Sequence, residues 1–119
     1  MREHYERLRM RAVWSWQGLK HIWNTEGSLH QWMWANIVSA GLAFLLPLSA
    51  GERGMLLMGG IMVLAFECLN TAIERVVDDV SEERRELAKQ AKDSGSAAVA
   101  VAGAAVGLAW ISVLGGLVL

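Results

Sequence analysis

The chain has one cysteine, Cys68, and one proline, Pro47, among 119 residues. A lone thiol cannot build a disulfide framework, so a small cross-linked secreted domain is excluded. Net charge is also scarce: eleven Lys and Arg stand against twelve Asp and Glu, for a formal charge of −1. That balance excludes a nucleic-acid binder working through bulk positive charge. Charge is missing altogether from residues 27–51, 54–66 and 94–119. What fills these gaps is apolar. The chain is 54% hydrophobic with a mean hydropathy of +0.31, above the roughly 45–50% of ordinary soluble domains. Segregated charge and long apolar runs describe an all-α integral membrane protein, not a disordered chain.

Residues 1–30 do not read as a signal peptide, because basic and acidic residues are mixed through them instead of preceding one apolar run. Leu8, Ala12, Trp16, Leu19 and Trp23 recur near helical spacing. Tryptophans at 14, 16, 23, 32 and 34 favour the headgroup zone. The segment is expected to form an amphipathic surface helix or helix pair; a soluble cap packed on the spans is the alternative. Three transmembrane helices are expected over residues 34–50, 55–77 and 96–119, in one domain covering 1–119. Pro47 interrupts the first, and Ser49–Gly54 forms the turn after it. The Asp78–Asp93 segment carries the second helix into water. A core this small calls for self-association.

Lys and Arg number five before the first span and four between the second and third, but one between the first and second and none after the third. The positive-inside tendency therefore places the N-terminus and the Asp78–Asp93 connection in the cytoplasm.

The second span carries an unusual stripe. Glu67 lies inside the apolar run, and Asn70, Thr71, Glu74 and Asp78 follow at intervals that share one helix face. The stripe drops roughly 16 Å from Glu67 to Asp78, at about 1.5 Å per residue. An ionisable group at bilayer depth costs on the order of 2.5–3.5 kcal/mol and marks function by default. Polar glue between helices is the structural alternative, and it accommodates Asn70 better than two glutamates and an aspartate.

Lys92-Asp93-Ser94-Gly95-Ser96 reads as the start of the third span, with free backbone N–H groups and a lysine able to meet phosphate oxygens. An ordinary positive border followed by an N-cap fits the same residues. Glu26, at the head of the first span, could pair with Glu74 at similar depth. Two hard oxygen donors suit Mg²⁺, which completes its shell with water and phosphate. Arg7, Lys92 and the metal would then neutralise a polyphosphate. These pieces together describe phosphoryl transfer from a soluble nucleotide to a membrane-buried hydroxyl. Neither G-x-x-x-x-G-K-[ST] nor G-x-G-x-x-G occurs, and the protein-kinase signatures are missing.

Glu67-Cys-Leu-Asn-Thr-Ala-Ile-Glu74, Val76-Val-Asp and Ala91-Lys-Asp-Ser-Gly-Ser-Ala-Ala98 resemble the signature region of the prokaryotic diacylglycerol kinase family. Its core pattern is E-x-x-N-[ST]-A-I-E, then A-K-D-x-[GA]-[SA]-A-A. Ser15-Trp-Gln-Gly-Leu and Asn24-Thr-Glu26 match upstream, so the resemblance covers nearly the whole chain. It implies a homotrimeric helical bundle in the bacterial cytoplasmic membrane, with active sites between subunits, that transfers the γ-phosphate of MgATP to diacylglycerol. Glu67 would be the catalytic base. Glu26 and Glu74 would hold the metal. Arg7, Trp14, Glu26, Glu74, Glu83, Arg84, Arg85, Lys92 and Asp93 would meet the nucleotide. Arg7, Trp16, Trp23, Asn70 and Ser96 would join Glu67 on the lipid side. Three positions depart from the pattern: Trp14 stands where relatives often carry Tyr, Trp32 replaces an acidic residue, and Arg84-Arg85 replaces an aromatic and His pair. Undecaprenol is the other acceptor that relatives use, and the Trp-rich N-terminal half is more similar to the diacylglycerol branch.

Two other classes are separable. A small proton-coupled exporter would use Glu67 for coupling but would leave Lys92-Asp93 idle and want four spans. A non-catalytic scaffold would use the stripe for assembly only. In the third span, Gly103-x-x-x-Gly107 and Ala98, Ala102, Ala105 and Ala109 suit close helix packing. His4, His21 and His30 show no metal-ligand spacing. Met55, Met58 and Met62 read as gap-fillers.

Overall fold

The computed structural model describes residues 1–119 as four helices and no strand: α1 Arg2–Thr25, α2 Gly27–Leu45, α3 Ala50–Val80 and α4 Glu86–Val118. The all-α expectation is met, with different joints. The surface segment stops at Thr25, because Glu26 takes extended backbone angles (φ −116°, ψ 111°). The helix of the first span therefore starts at Gly27, ahead of residue 34. It ends at Leu45, ahead of residue 50, and Leu46 is extended (φ −82°, ψ 150°). The pyrrolidine of Pro47 disfavours helical angles at the residue before it.

Ser49-Ala-Gly-Glu52 was expected to belong to a turn and instead opens α3. The Ser49 hydroxyl accepts from the Glu52 amide at 3.1 Å and donates to the Glu52 carboxylate at 3.1 Å. This side-chain cap satisfies an amide that the first turn leaves unpaired. The helix runs to Val80 and stops there, because Ser81 is extended (φ −170°, ψ 141°), so the expected continuation of the second span through Asp78–Asp93 is cut short. The largest shift is in α4, which begins at Glu86 and not at Ser96. Its first turns, Glu86–Asp93, are strong helix formers, so charge does not interrupt the helix.

With 31 and 33 residues, α3 and α4 are roughly 46 and 50 Å long at ~1.5 Å per residue. Both are long and apolar enough to cross a membrane, and their charged ends project past an apolar layer of about 30 Å. The polar residues Ser28, His30, Gln31 and Asn36 dilute the first half of α2.

Helix α3 is central. It packs along α4 on one side and α2 on the other, while α2 and α4 do not approach each other through their backbones. Small residues allow the close approaches. A methyl group on Gly60 would collide with Asn36 Oδ1 of α2, and one on Gly59 would lie 3.0 Å from Val106 of α4. A side-chain hydrogen bond spans the gap between α2 and α4, where Trp110 Nε1 donates to Ser39 Oγ at 2.9 Å. Gly103 packs under the Trp32 ring, whereas Gly107 and Ala105 face outward on the single chain. Only part of the expected small-residue seam is thus used within one chain.

Only 11 of 119 residues are buried, and large apolar side chains such as Ile61, Val101 and Ile111 are exposed along both long helices. The radius of gyration is 17.8 Å, against about 13–14 Å for a compact chain of this length. Helix α1 has no buried residue and meets α2 and α3 only near its C-terminal end, where Arg75 of α3 bonds His21 and Thr25. An exposed apolar surface this extensive needs lipid or other protein to cover it.

At the far end from the charged turns, Arg53 closes the α2–α3 connection. Its Nε donates to Ala43 O at 2.8 Å and its Nη2 to Leu48 O at 3.3 Å. The guanidinium lies 5.3 Å from the Phe44 ring centre. It thus satisfies a carbonyl that the last turn of α2 leaves free. Arg53→Met should lower the unfolding free energy in detergent micelles by about 1–3 kcal/mol, and an unchanged thermal midpoint would contradict this role.

Candidate active site

Glu67 is 4% exposed, at the level where α2, α3 and α4 meet. Its carboxylate is not isolated. Ser28 Oγ, in the first turn of α2, donates a short hydrogen bond to Glu67 Oε1. One turn on, buried Thr71 donates to the Glu67 carbonyl at 3.1 Å, which uses up its hydroxyl locally. Glu67, Asn70, Glu74, Glu26 and Ser96 line one cavity of about 360 Å³, together with Ser28, Trp32, Val99 and Ala100. The stripe on α3, the junction before α2 and α4 near Ser96 therefore border one cavity.

Asn70 bonds within its own helix and lies against α4. Its Nδ2 donates to Glu74 Oε1 at 3.4 Å. Its Oδ1 is buried with no hydrogen-bond partner, and lies 2.6 Å from where a Gly95 Cβ would stand. Gly95 is therefore a point of close approach between α3 and α4. The expected helix start at Ser94–Ser96 does not exist: α4 is continuous there, so those amides are inside the helix and offer no free N–H groups to phosphate.

Glu26 is held by a residue the sequence reading passed over. Arg75 Nη2 donates to Glu26 Oε1 at 2.8 Å and to Thr25 Oγ1 at 3.1 Å, and Nη1 donates to His21 Nε2 at 3.2 Å. An arginine cannot accept, so His21 Nε2 is the acceptor. The ion pair is part-exposed, with side chains 47% and 25% accessible, and contributes at most about 1 kcal/mol. Its importance is geometric: it ties α3 to the α1–α2 junction. At that junction His30 stacks on Trp23 at 3.9 Å and donates through Nε2 to the Trp23 carbonyl at 2.6 Å.

A second cavity of about 490 Å³ lies nearer the charged end. Glu83, Arg84, Arg85, Lys92 and Asp93 line it with Asp78 and Lys89. Lys92 pairs with Asp78 across the α3–α4 gap at 2.6 Å, and Lys89 pairs with Asp93 at 2.6 Å. Arg85 Nη2 donates to the Val77 and Ser81 carbonyls at 3.3 Å, covering the end of α3. Five expected residues are thereby gathered here, in the charged band below Glu67. Arg7, Trp14 and Trp16 are not gathered. They are exposed on α1, where Arg7 meets only Glu3 at 3.9 Å. Trp23 lies at the α1–α2 junction, and it too lines neither cavity.

The donors around the first cavity are consistent with a hard cation. Glu26 and Glu74 both line it, with one oxygen of Glu26 paired to Arg75 and one of Glu74 accepting from Asn70, and no group of three or more His, Cys, Asp or Glu is placed to hold a metal ion. Two carboxylates with room for water and phosphate suit Mg²⁺ better than a fully protein-ligated ion.

The family model for prokaryotic diacylglycerol kinase matches residues 13–114. The diacylglycerol kinase of Pseudomonas aeruginosa is 43% identical over 89 residues, covering 75% of this chain and 72% of that protein. The diacylglycerol kinase of Escherichia coli K12 is 36% identical over 110 residues, covering 92% and 90%. That of Haemophilus influenzae is 36% identical over 100 residues, covering 84% and 85%. Ser28, Arg75 and Trp32 are the site residues for which the sequence reading had no role. A serine two residues past Glu26 and an arginine beside Glu74 are the signals that were available, but neither identifies its partner.

A methyl group at Gly95 should push Asn70 off α4. Gly95→Ala is expected to destabilise the fold by about 1–3 kcal/mol, and Asn70→Ala in the same chain should recover most of it. Strictly additive losses in such a double-mutant cycle would show that the two residues are not coupled.

Proposed function

The chain belongs to the prokaryotic diacylglycerol kinase family, and from that premise we propose how its residues carry out the transfer of the ATP γ-phosphate to diacylglycerol, giving phosphatidic acid. The observation that supports this reading most is the convergence of buried Glu67 with Glu26 and Glu74 on one cavity, directly above a cleft of charged residues. A lipid hydroxyl approaching from the apolar side and a triphosphate approaching from water would meet between them.

Glu67 is the general base. It takes the proton of the acceptor hydroxyl as the oxygen attacks the γ-phosphorus, and the bond to the ADP oxygen breaks. Phosphoryl transfer passes through a loose transition state, so alignment and charge neutralisation dominate its barrier. Glu26 and Glu74 would hold Mg²⁺, which when bound neutralises phosphate charge. Glu83, Arg84, Arg85, Lys92 and Asp93 would hold the nucleotide in the lower cleft, with Lys92 as a point charge against phosphate. Lys92 must leave Asp78 to do so, and a part-exposed pair is weak enough to exchange. Asn70 and Ser96 would flank the lipid headgroup. Arg7, Trp14, Trp16 and Trp23 would act from the surface helix. Within one chain Arg7, Trp14 and Trp16 stand on the exposed length of that helix. The uncovered apolar faces of α3 and α4 support a homotrimer in which that helix serves a neighbouring subunit. Helices α3 and α4 are long and apolar enough to span, and α2 would be the third span of a protein in the inner membrane; the Lys and Arg distribution supports a cytoplasmic N-terminus and charged cleft.

Glu67→Gln should lower kcat roughly 10²- to 10⁴-fold, with nucleotide affinity unchanged. Normal turnover of this variant with diacylglycerol in mixed micelles would remove the base assignment. The unsubstituted enzyme, assayed with MgATP fixed, should turn over diacylglycerol faster than undecaprenol, and the reverse order would reassign the acceptor.

A further inference from the structure

We propose that Ser28 is a positioning residue for Glu67: its hydroxyl pins one carboxylate oxygen, so that the other is presented to the acceptor alcohol. The inference rests on the assignment of Glu67 as the base. Ser28 Oγ donates to Glu67 Oε1 from another helix, 39 residues away in the chain. No protein group donates to Glu67 Oε2, and the only sealed side-chain polar atom without a partner is Asn70 Oδ1. Oε2 is therefore unbonded but not enclosed. The open space beside it is the cavity that Asn70 and Ser96 also line.

The two oxygens have separate tasks. A hydrogen bond to a carboxylate is charge-assisted and directional. It restricts the long glutamate side chain, which in an apolar helix has few other polar anchors. A general base must lie within hydrogen-bond reach of the proton it takes, and a misplacement of about 1 Å is enough to cost a hundredfold in rate. Ser28 is itself well placed to hold that position. Leu29, its neighbour, is buried at 4% exposure, and the Glu26–Arg75 pair fixes the junction two residues before it. The kink at Glu26 is what brings the first turn of α2 against the middle of α3.

The test is steady-state kinetics of the full-length enzyme in diacylglycerol mixed micelles. Ser28→Ala should lower kcat about ten- to hundredfold while KM for MgATP and for diacylglycerol stays within about twofold. Ser28→Thr, which keeps the hydroxyl, should recover most of the rate. Adding Ser28→Ala to Glu67→Gln should cause no further loss, since the serine acts through the carboxylate. Wild-type kcat in Ser28→Ala would overturn the inference, and so would equal impairment of the Ala and Thr variants. If Glu67→Gln is inactive while Ser28→Ala is fully active, only the positioning role falls. If Glu67→Gln turns over normally, the base assignment falls and takes the positioning role with it.

Discussion

A carboxylate in an apolar helix must find donors from outside that helix, and in this protein the donor is a single serine hydroxyl. The local backbone cannot help, because the amides of α3 are consumed by its own ladder. Ser28 reaches Glu67 only because the chain bends at Glu26 and restarts as α2 one residue later. The kink, the register of α2 on α3 and the arginine that braces the junction together place that serine against the carboxylate.

The same economy governs the packing. Asn36 and Asn70 each lie against a glycine of the neighbouring helix, Gly60 and Gly95. A methyl group at either glycine would meet a carboxamide oxygen. The close approach that such glycines permit is a common way to bring membrane helices together where lipid removes the usual hydrophobic drive. Glycine at position 95 thus brings α4 onto the polar stripe and helps bound the cavity on that side.

Below the carboxylate the character of the molecule changes. Both long helices extend well past an apolar layer, and their charged turns form the lower cleft through the Lys92–Asp78 and Lys89–Asp93 pairs. These pairs are exposed and individually weak. Above them, the apolar faces of α3 and α4 are largely uncovered, and α1 touches little of its own chain. Each long helix thus joins an apolar stretch to a charged one.

Much of this was legible in the linear order of residues. Periodicity is local, so helical class, the polar stripe from Glu67 to Asp78 and the segregation of charge could be read directly. The paired signature blocks identified the family. Helix ends were less legible. Pro47 and Ser49 act within a residue or two, yet the charged Glu86–Asp93 turns carried no stop signal and were assigned to a connection instead of to α4. Apart from Glu26 and Glu74, which share a cavity, cross-helix neighbours were not legible. Ser28 with Glu67, Arg75 with Glu26, and Gly95 under Asn70 depend on how far each helix is rotated about its axis and slid along its neighbour. The sequence alone determined which side chains lie on one helix face. Only the tertiary structure decided which faces meet, because rotation and register between helices are set by the packing of all of them together.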